Sequence, residues 1–315
     1  MSNLNAPQFI DEDKAREYLE AQRWPNGAIC PHCGGDERNY PITADESKKI
    51  RKGLYQCNDC NQQFTITVGT VFERSKVPLH KWLAATYLMC SSKKGISAKQ
   101  IERTLGITYK TAWFMCHRIR EAMRDEKPIQ MGGSGKTVEI DETFYGNRKP
   151  RYQKKGRGYQ HKQKILTLVE REGKARSFHV PRVNAKTLLP IIKEQISADT
   201  HIMTDDAGQY GSRNQSGHVH APLASFASHN VVKHGIGEYV RGDIHTNTIE
   251  GFFSIFKRGM IGVYQHCGQQ HLKRYLCEYD FRYNHRQKLG FNDMARTNEA
   301  LKGIKGKRLT YSGNC

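Results

Sequence analysis

Two Cys-x2-Cys pairs, Cys30 with Cys33 in AICPHCGG and Cys57 with Cys60 in LYQCNDCNQQF, stand 23 residues apart. No other feature constrains the chain as strongly. A segment this short has too little apolar material for a core of its own. Four thiolates on two knuckles close a tetrahedral metal site, and the metal then supplies the folding energy. The N-terminus, MSNLNAPQFIDEDKAREYLEAQ, has neither a basic start nor an apolar stretch. No signal peptide is therefore expected, and a reducing, cytoplasmic setting makes paired cysteines metal ligands before disulfides. Cys30, Cys33, Cys57 and Cys60 are thus expected to hold a structural zinc in a zinc ribbon. Four thiolates leave no open position for substrate, and His32, inside the first knuckle, is expected at the surface.

Fifty Lys and Arg against thirty-one Asp and Glu give a formal charge of +19, which points to a polyanion, nucleic acid first. A membrane is not expected, since the longest apolar run, WLAATYLM at 82–89, is far short of the roughly 20 residues a span needs. Residues 8–24 read as a helix stopped by Pro25 and Gly27, and residues 78–125 read as all helix. Within the latter, Ser97 opens a short helix, Leu105-Gly106-Ile107-Thr108 makes a turn, and a longer helix follows. That is the helix-turn-helix pattern, equally a plain helical hairpin, and the charge and the adjacent ribbon favour DNA. Tyr109, Lys110 and Thr111 would lead into a groove, with Arg118 and Arg120 further along.

After Pro128 and the glycine-rich MGGSGK the texture changes to alternating strands: 137–144, 164–171 and 175–183. A helix at 184–197, a strand at 200–206 and a strand at HNVVKH follow, which together predict an α/β domain with a mixed sheet. The patch NRKPRYQKKGRGYQHKQK, 147–164, carries eight Lys or Arg in eighteen residues. It reads as a nucleic-acid-binding loop, with Lys154, Lys155 and Arg157 among its contacts.

Three acids stand out against this pattern. In VEIDE, Val138 and Ile140 face one way and Glu139 and Asp141 the other, so an acid lies on a covered face, with Asp141 at the strand's end. In HIMTDD an apolar strand ends in Asp205 and Asp206. In NTIEGFFSIFKRG, an amphipathic helix, Glu250 has no i,i+4 partner, and Lys257 lies seven residues on, on nearly the same face. A solvated surface acid accounts for Glu250 taken alone. Two strand-terminal aspartates with Glu250 form a set of hard oxygen ligands that can hold two magnesium ions for in-line attack on phosphorus. His218-x-His220 and the other histidines fit no standard ligand spacing.

The motifs AICPHCGG, LYQCNDCNQQFTITVGTVFERSKVPLHKW, GISAKQIERTLGITYKTAWFMCHRIREAM, VEIDETFYG, TDDAGQY and HTNTIEGFFSIFKRGMIGVYQH together resemble the DDE insertion-sequence transposases with an N-terminal zinc ribbon, the ISXO2-like, Merlin-related group. The resemblance runs over nearly the whole chain. It implies a ribonuclease H-like catalytic domain at 131–300, after a ribbon at 1–76 and a helix-turn-helix at 77–130, with a basic tail at 301–315. It carries the acidic triad onto Asp141, Asp205 and Glu250, which would hold magnesium or manganese, and the DNA-phosphate-binding base onto Lys257. Asp206 is the alternative to Asp205, and Asn247 a further ligand or positioning residue. The implied function is binding of terminal inverted repeats, cleavage and strand transfer into target DNA, by a homo-oligomer near the nucleoid. A non-catalytic DNA-binding regulator and a magnesium nuclease that does not join ends are the alternatives.

Overall fold

The computed structural model describes residues 3–126, 128–146, 162–213, 219–233 and 240–310, and the chain divides into two compact units, 1–124 with 291–315, and 125–290. In the first unit, α1 (Glu12–Arg23) begins where the Asp11 carboxylate accepts from the Lys14 amide at 2.8 Å, an N-cap with Glu12 and Asp13 suitably placed in the first turn. Trp24, just after it, meets the rings of Tyr55 and Phe64 edge-on, with centroids 5.3 and 5.7 Å away. These rings belong to an antiparallel sheet of β1 (Asn39–Pro41), β2 (Tyr55–Cys57) and β3 (Gln63–Phe64).

At one end of this sheet the knuckles bring Cys30 Sγ to 3.7 Å from Cys60 and Cys33 Sγ to 3.6 Å from Cys57, all four within 4.8 Å of one another. Tetrahedral Zn–S bonds of about 2.3 Å separate sulfurs by about 3.8 Å, so the donor set fits zinc. The backbone amides of Cys60 and Asp59 hold the Cys57 thiol below its ordinary value, while burial pushes the Cys60 thiol up. His32 is exposed, as expected.

Three helices follow: α2 (Leu79–Ser91), α3 (Ala98–Leu105) and α4 (Tyr109–Ala122). α2 is buried on nearly every side, Trp82, Leu83, Ala85 and Met89 included, because α1 and α4 both pack on it. Gly106 ends α3 in the left-handed region at φ 60°, where a Cβ is disfavoured. Thr108 then caps α4 by accepting from the Thr111 amide.

The second unit is built on a five-stranded mixed sheet. Its strands are β4 (Thr137–Tyr145), β5 (Gln163–Glu170), β6 (Ala175–Val180) and β7 (His201–Asp205), then, after the short pair β8 (Ser212–Arg213) and β9 (Val219–His220), β10 (Ser228–Val232). The order is β10-β7-β4-β5-β6, with β5 antiparallel to both neighbours and β7 parallel to β4 and β10. Helix α5 (Ala185–Gln195) carries the chain back from β6 to β7 and covers one face, where Val138, Ile140, Leu168 and Ile202 meet Leu188 and Ile192. After a second short pair, β11 (Val240–Arg241) and β12 (Ile244–His245), come α6 (Asn247–Gly259) and α7 (Gln269–Asn284). They cover the other face, where Ile165 and Val169 meet Ile249, Phe252, Phe256 and Leu272. Period-two alternation in the strands predicts these two apolar faces.

Strand β6 is a sheet edge, and α7 covers it. Asn284 accepts from the Ala175 amide at 2.6 Å and donates to its carbonyl at 3.0 Å. Asp280 accepts from the amide and hydroxyl of Ser177 at 2.8 and 2.7 Å. Outward backbone groups that would template another strand are thereby satisfied. Burial nonetheless pushes the Asp280 carboxyl up to about 6.

The chain then returns to the first unit. Helix α8 (Asp293–Lys302) packs on α2 and α4. Val71 N donates to Ile304 O at 3.1 Å and Gly306 N to Gly69 O at 2.9 Å. Residues 301–310, expected as a basic tail, are thus part of a packed unit: Ile304 is buried, and Lys307 donates to the Ala122 carbonyl at 3.2 Å. Residues 291–300, expected with the second domain, likewise belong with the N-terminal unit. No helix among the described residues is long and apolar enough to cross a membrane.

Removing zinc with a chelator should unfold the 28–64 segment alone. Hydrogen exchange should then quicken through β1–β3 and stay slow in β4–β7, and Cys57→Ser should show the same pattern without chelator. Unchanged protection of β1–β3 after metal removal would contradict a zinc-dependent ribbon.

Candidate active site

Strand pairing brings the two aspartates together. Parallel β4 and β7 pair Thr137 with His201, Val138 with Ile202 and Glu139 with Met203. Two residues further along each strand, Asp141 and Asp205 stand level, on the face that Glu139 and Met203 share. The sequence placed Asp141 at a strand's end. It lies instead in mid-strand: β4 runs on to Tyr145 along β5, and the strand that ends there is β7. Because β4 is flanked by the next strand in sequence on one side and by a crossover strand on the other, this is where the sheet's order reverses, and crevices form at such positions. Asp205 accepts from the Ala207 amide at 3.1 Å. Asp206 lies past the strand and is exposed, so only Asp205 shares the face of Asp141.

Helix α6 brings the third acid. Ile249, Phe252, Phe253 and Phe256 bury its apolar side, while Glu250 and Lys257 stay exposed at its rim. The Asp141 carboxyl is pushed up to about 7, first by burial and then by the charge of Asp205, with Glu250 adding to the shift, while the Glu142 amide and the Lys257 charge oppose it. Asp205, Glu250 and Lys257 therefore each lie within electrostatic reach of Asp141. The carboxylates are less tightly gathered than the four thiolates, which among the described residues are the only group of three or more His, Cys, Asp or Glu with all ligand atoms within 4.8 Å. Hard oxygen donors whose repulsion raises a carboxyl pKa fit a divalent cation such as magnesium or manganese. Asn247, the first residue of α6, is exposed, and its amide donates to His245 Nδ1 at 3.4 Å.

Two further glutamates on β4 went unassigned from sequence. Glu142 points to the α5 face, where it accepts from Gln209 Nε2 at 3.0 Å and from the buried Tyr210 hydroxyl. Burial, with Asp141 and Asp205 nearby, pushes its carboxyl up to about 8. Glu139 is fully buried and accepts from Arg171 Nε at 2.7 Å. The signal for both was present, since period-two alternation puts each acid on a covered face. What sequence did not supply was the partners, 67 or more residues away for Glu142 and 32 to 110 for Glu139.

The expected DNA contacts fare differently. Lys110 is exposed at the start of α4, and Thr111 is half-buried with its hydroxyl 2.9 Å from that of Thr108. Arg118 is not at the surface: it is 6% exposed, donates to the Glu73 carbonyl at 2.6 Å and stacks over Trp82. Arg120 is buried as well. Arg118 points inward because α4 lays that side against α2; Arg120, two residues on, lies on a different face of the helix. Lys154, Lys155, Arg157 and His218 lie outside the described residues.

Comparison with known proteins agrees with this architecture. Residues 132–284, which hold Asp141, Asp205 and Glu250, match the ISXO2-like transposase domain, and residues 10–63, which hold the four cysteines, match the transposase zinc-ribbon domain. An uncharacterized protein in transposable element ISH50 of Halobacterium salinarum is 28% identical over 270 residues, spanning 79% of this chain and 83% of that protein. A solved simian T-cell lymphotropic virus intasome in complex with PP2A regulatory subunit B56 gamma is similar at 15% identity over 57% of this chain and 63% of that one, with a TM-score of 0.28, too loose to bear on the fold. The chain thus carries an ISXO2-like transposase domain behind a transposase zinc-ribbon domain.

Proposed function

We propose that the protein is a DDE transposase that binds the terminal inverted repeats of a mobile element, cleaves at its ends and joins the freed 3′-hydroxyls to target DNA. The observation that carries this reading is the register placing Asp141 level with Asp205 at the reversal of strand order, with Glu250 close enough to raise the Asp141 pKa. The sheet and its flanking helices suit the ribonuclease H-like fold that the family implies. Asp141, Asp205 and Glu250 would hold magnesium or manganese, which when bound supplies Lewis-acid activation of the attacking oxygen and stabilisation of the leaving one. Asp141 lies on the central strand and gives the site its fixed point. Lys257, exposed on the same helix as Glu250, is placed to hold a DNA phosphate and to keep the scissile strand against the acids. In the first unit Lys110 and Thr111, at the start of α4 in a helix-turn-helix, would meet the ends of the element, and the +19 charge favours DNA through counterion release. Pairing two ends calls for a homo-oligomer, working where cytoplasmic DNA lies.

A regulator that only binds DNA has no use for acids held against their own repulsion, so the acid cluster disfavours that alternative. A nuclease that cuts without joining is separated by its products. Oligonucleotides carrying the element's ends should be joined to target DNA with magnesium, and Asp141→Ala should reduce joining to background. Joining without divalent metal, or full activity of Asp141→Ala, would contradict the proposal.

The raised Asp141 pKa also predicts a pH signature in chelator. Between about pH 4 and pH 7 the folded chain keeps a proton that the unfolded chain has released, so stability falls as pH rises through that window. Asp141→Asn should therefore melt a few degrees above the parent at pH 8, with the gap closing toward pH 4. Magnesium should close it at pH 8 by stabilising the parent alone. Identical pH profiles for the two proteins would contradict mutual repulsion at the site.

A further inference from the structure

At the start of α6 the one local side-chain acceptor for a backbone amide among the described bonds is His245 Nδ1, 3.4 Å from the Asn247 amide. The helix's N-cap residue, Thr246, makes no side-chain bond to the first-turn amides, which as a rule need an acceptor. A further acceptor comes from the sheet. Glu139 Oε2 accepts from the Ile249 amide at 2.9 Å, and Oε1 accepts from the Thr248 hydroxyl at 2.9 Å. The same carboxylate accepts from Arg171 Nε at 2.7 Å, and Arg171 also donates to the carbonyls of Asp243 and His245 at 2.7 and 2.8 Å. One fully buried glutamate thus ties down both the segment entering α6 and its first turn, and a carboxylate there also suits the helix dipole.

The placement along the chain gives this bond its consequence. Glu139 is two residues before Asp141 on the same face of β4, and Ile249 is the residue before Glu250. We propose that Glu139 is a positioning residue that sets the distance from Glu250 to Asp141, and so the geometry in which the three acids share a metal. This rests on the triad reading above. With both carboxylate oxygens taken by Arg171, Thr248 and Ile249, Glu139 is not itself a ligand. Its role is to make the start of α6 rigid relative to the central strand, where the neighbouring amphipathic packing of Phe252 and Phe256 fixes only the helix face.

The test uses the full chain, with Mn2+ binding followed by titration and hydrogen exchange followed over residues 246–253. Glu139→Gln, which puts an amide nitrogen opposite donors, should speed exchange in that segment and weaken Mn2+ binding about tenfold, the scale of other supporting partners of metal ligands. Joining should recover in part at saturating Mn2+, and DNA affinity should not change. Thr248→Val, which removes one donor and no charge, should shift both readouts in the same direction by less. Asp280→Asn, in a partly buried acid that fastens α7 to β6, should leave Mn2+ binding as in the parent. Parent-like exchange at 246–253 and Mn2+ binding in Glu139→Gln, while Glu250→Gln loses Mn2+, would overturn the positioning role. An equal loss of Mn2+ in Asp280→Asn would overturn it too, by showing a general loosening. If Glu250→Gln keeps parent Mn2+ binding, the triad reading fails, and with it the role assigned to Glu139.

Discussion

Carboxylates crowded on a half-buried sheet face repel one another, and the second unit is arranged around holding three of them together. The repulsion is visible in Asp141, pushed up to about 7 by burial, Asp205 and Glu250. A chain free to relax would splay these groups apart. Backbone pairing prevents that for two of them: Asp141 and Asp205 are fixed by the β4–β7 register, and moving either means breaking the sheet's interior ladder. The third acid is on a helix and needs other restraint.

That restraint is mostly apolar. Ile249, Phe252, Phe253 and Phe256 are all buried between α6 and the sheet, and burying each such side chain stabilises by about 1.5–3 kcal/mol. The total is comparable to what unit charges near a protein surface cost one another at a few ångströms, about 4 kcal/mol per pair. Packing of this kind holds a helix to a face and is less strict about its position along its axis. Directional bonds at the start of α6 supply what apolar contact lacks. On the opposite face, Glu142 with Gln209 and Tyr210 ties the segment after Asp205 back to β4. The strand VEIDET thereby anchors all three acidic positions, through its backbone, Glu139 and Glu142.

Much of this was legible in the sequence. The four cysteines declare their site by spacing alone, because knuckle geometry is local. The strands at 137–145, 163–170 and 201–205 follow from alternation, and Asp205 and Asp141 from acids that interrupt it. What was not legible depends on distant partners. Asp141 reads as strand-terminal because local pattern cannot show that β4 outruns β7. Arg118 reads as a groove contact because helix periodicity alone does not reveal that α2 covers that side of α4. The return of residues 291–310 to the N-terminal unit rests on contacts such as Ile304 with Val71, more than two hundred residues apart. Lys154, Lys155 and Arg157 lie in a segment outside the described residues.

The most direct measurement is anomalous diffraction from crystals of the full chain soaked in Mn2+, bound to an oligonucleotide carrying the element's end. Anomalous density is expected between Asp141 and Asp205, with Glu250 completing the ligands and a DNA phosphate facing Lys257. Density bound instead by Asp206 or by no residue of α6, or no density near Asp141, would contradict a site built on these three acids.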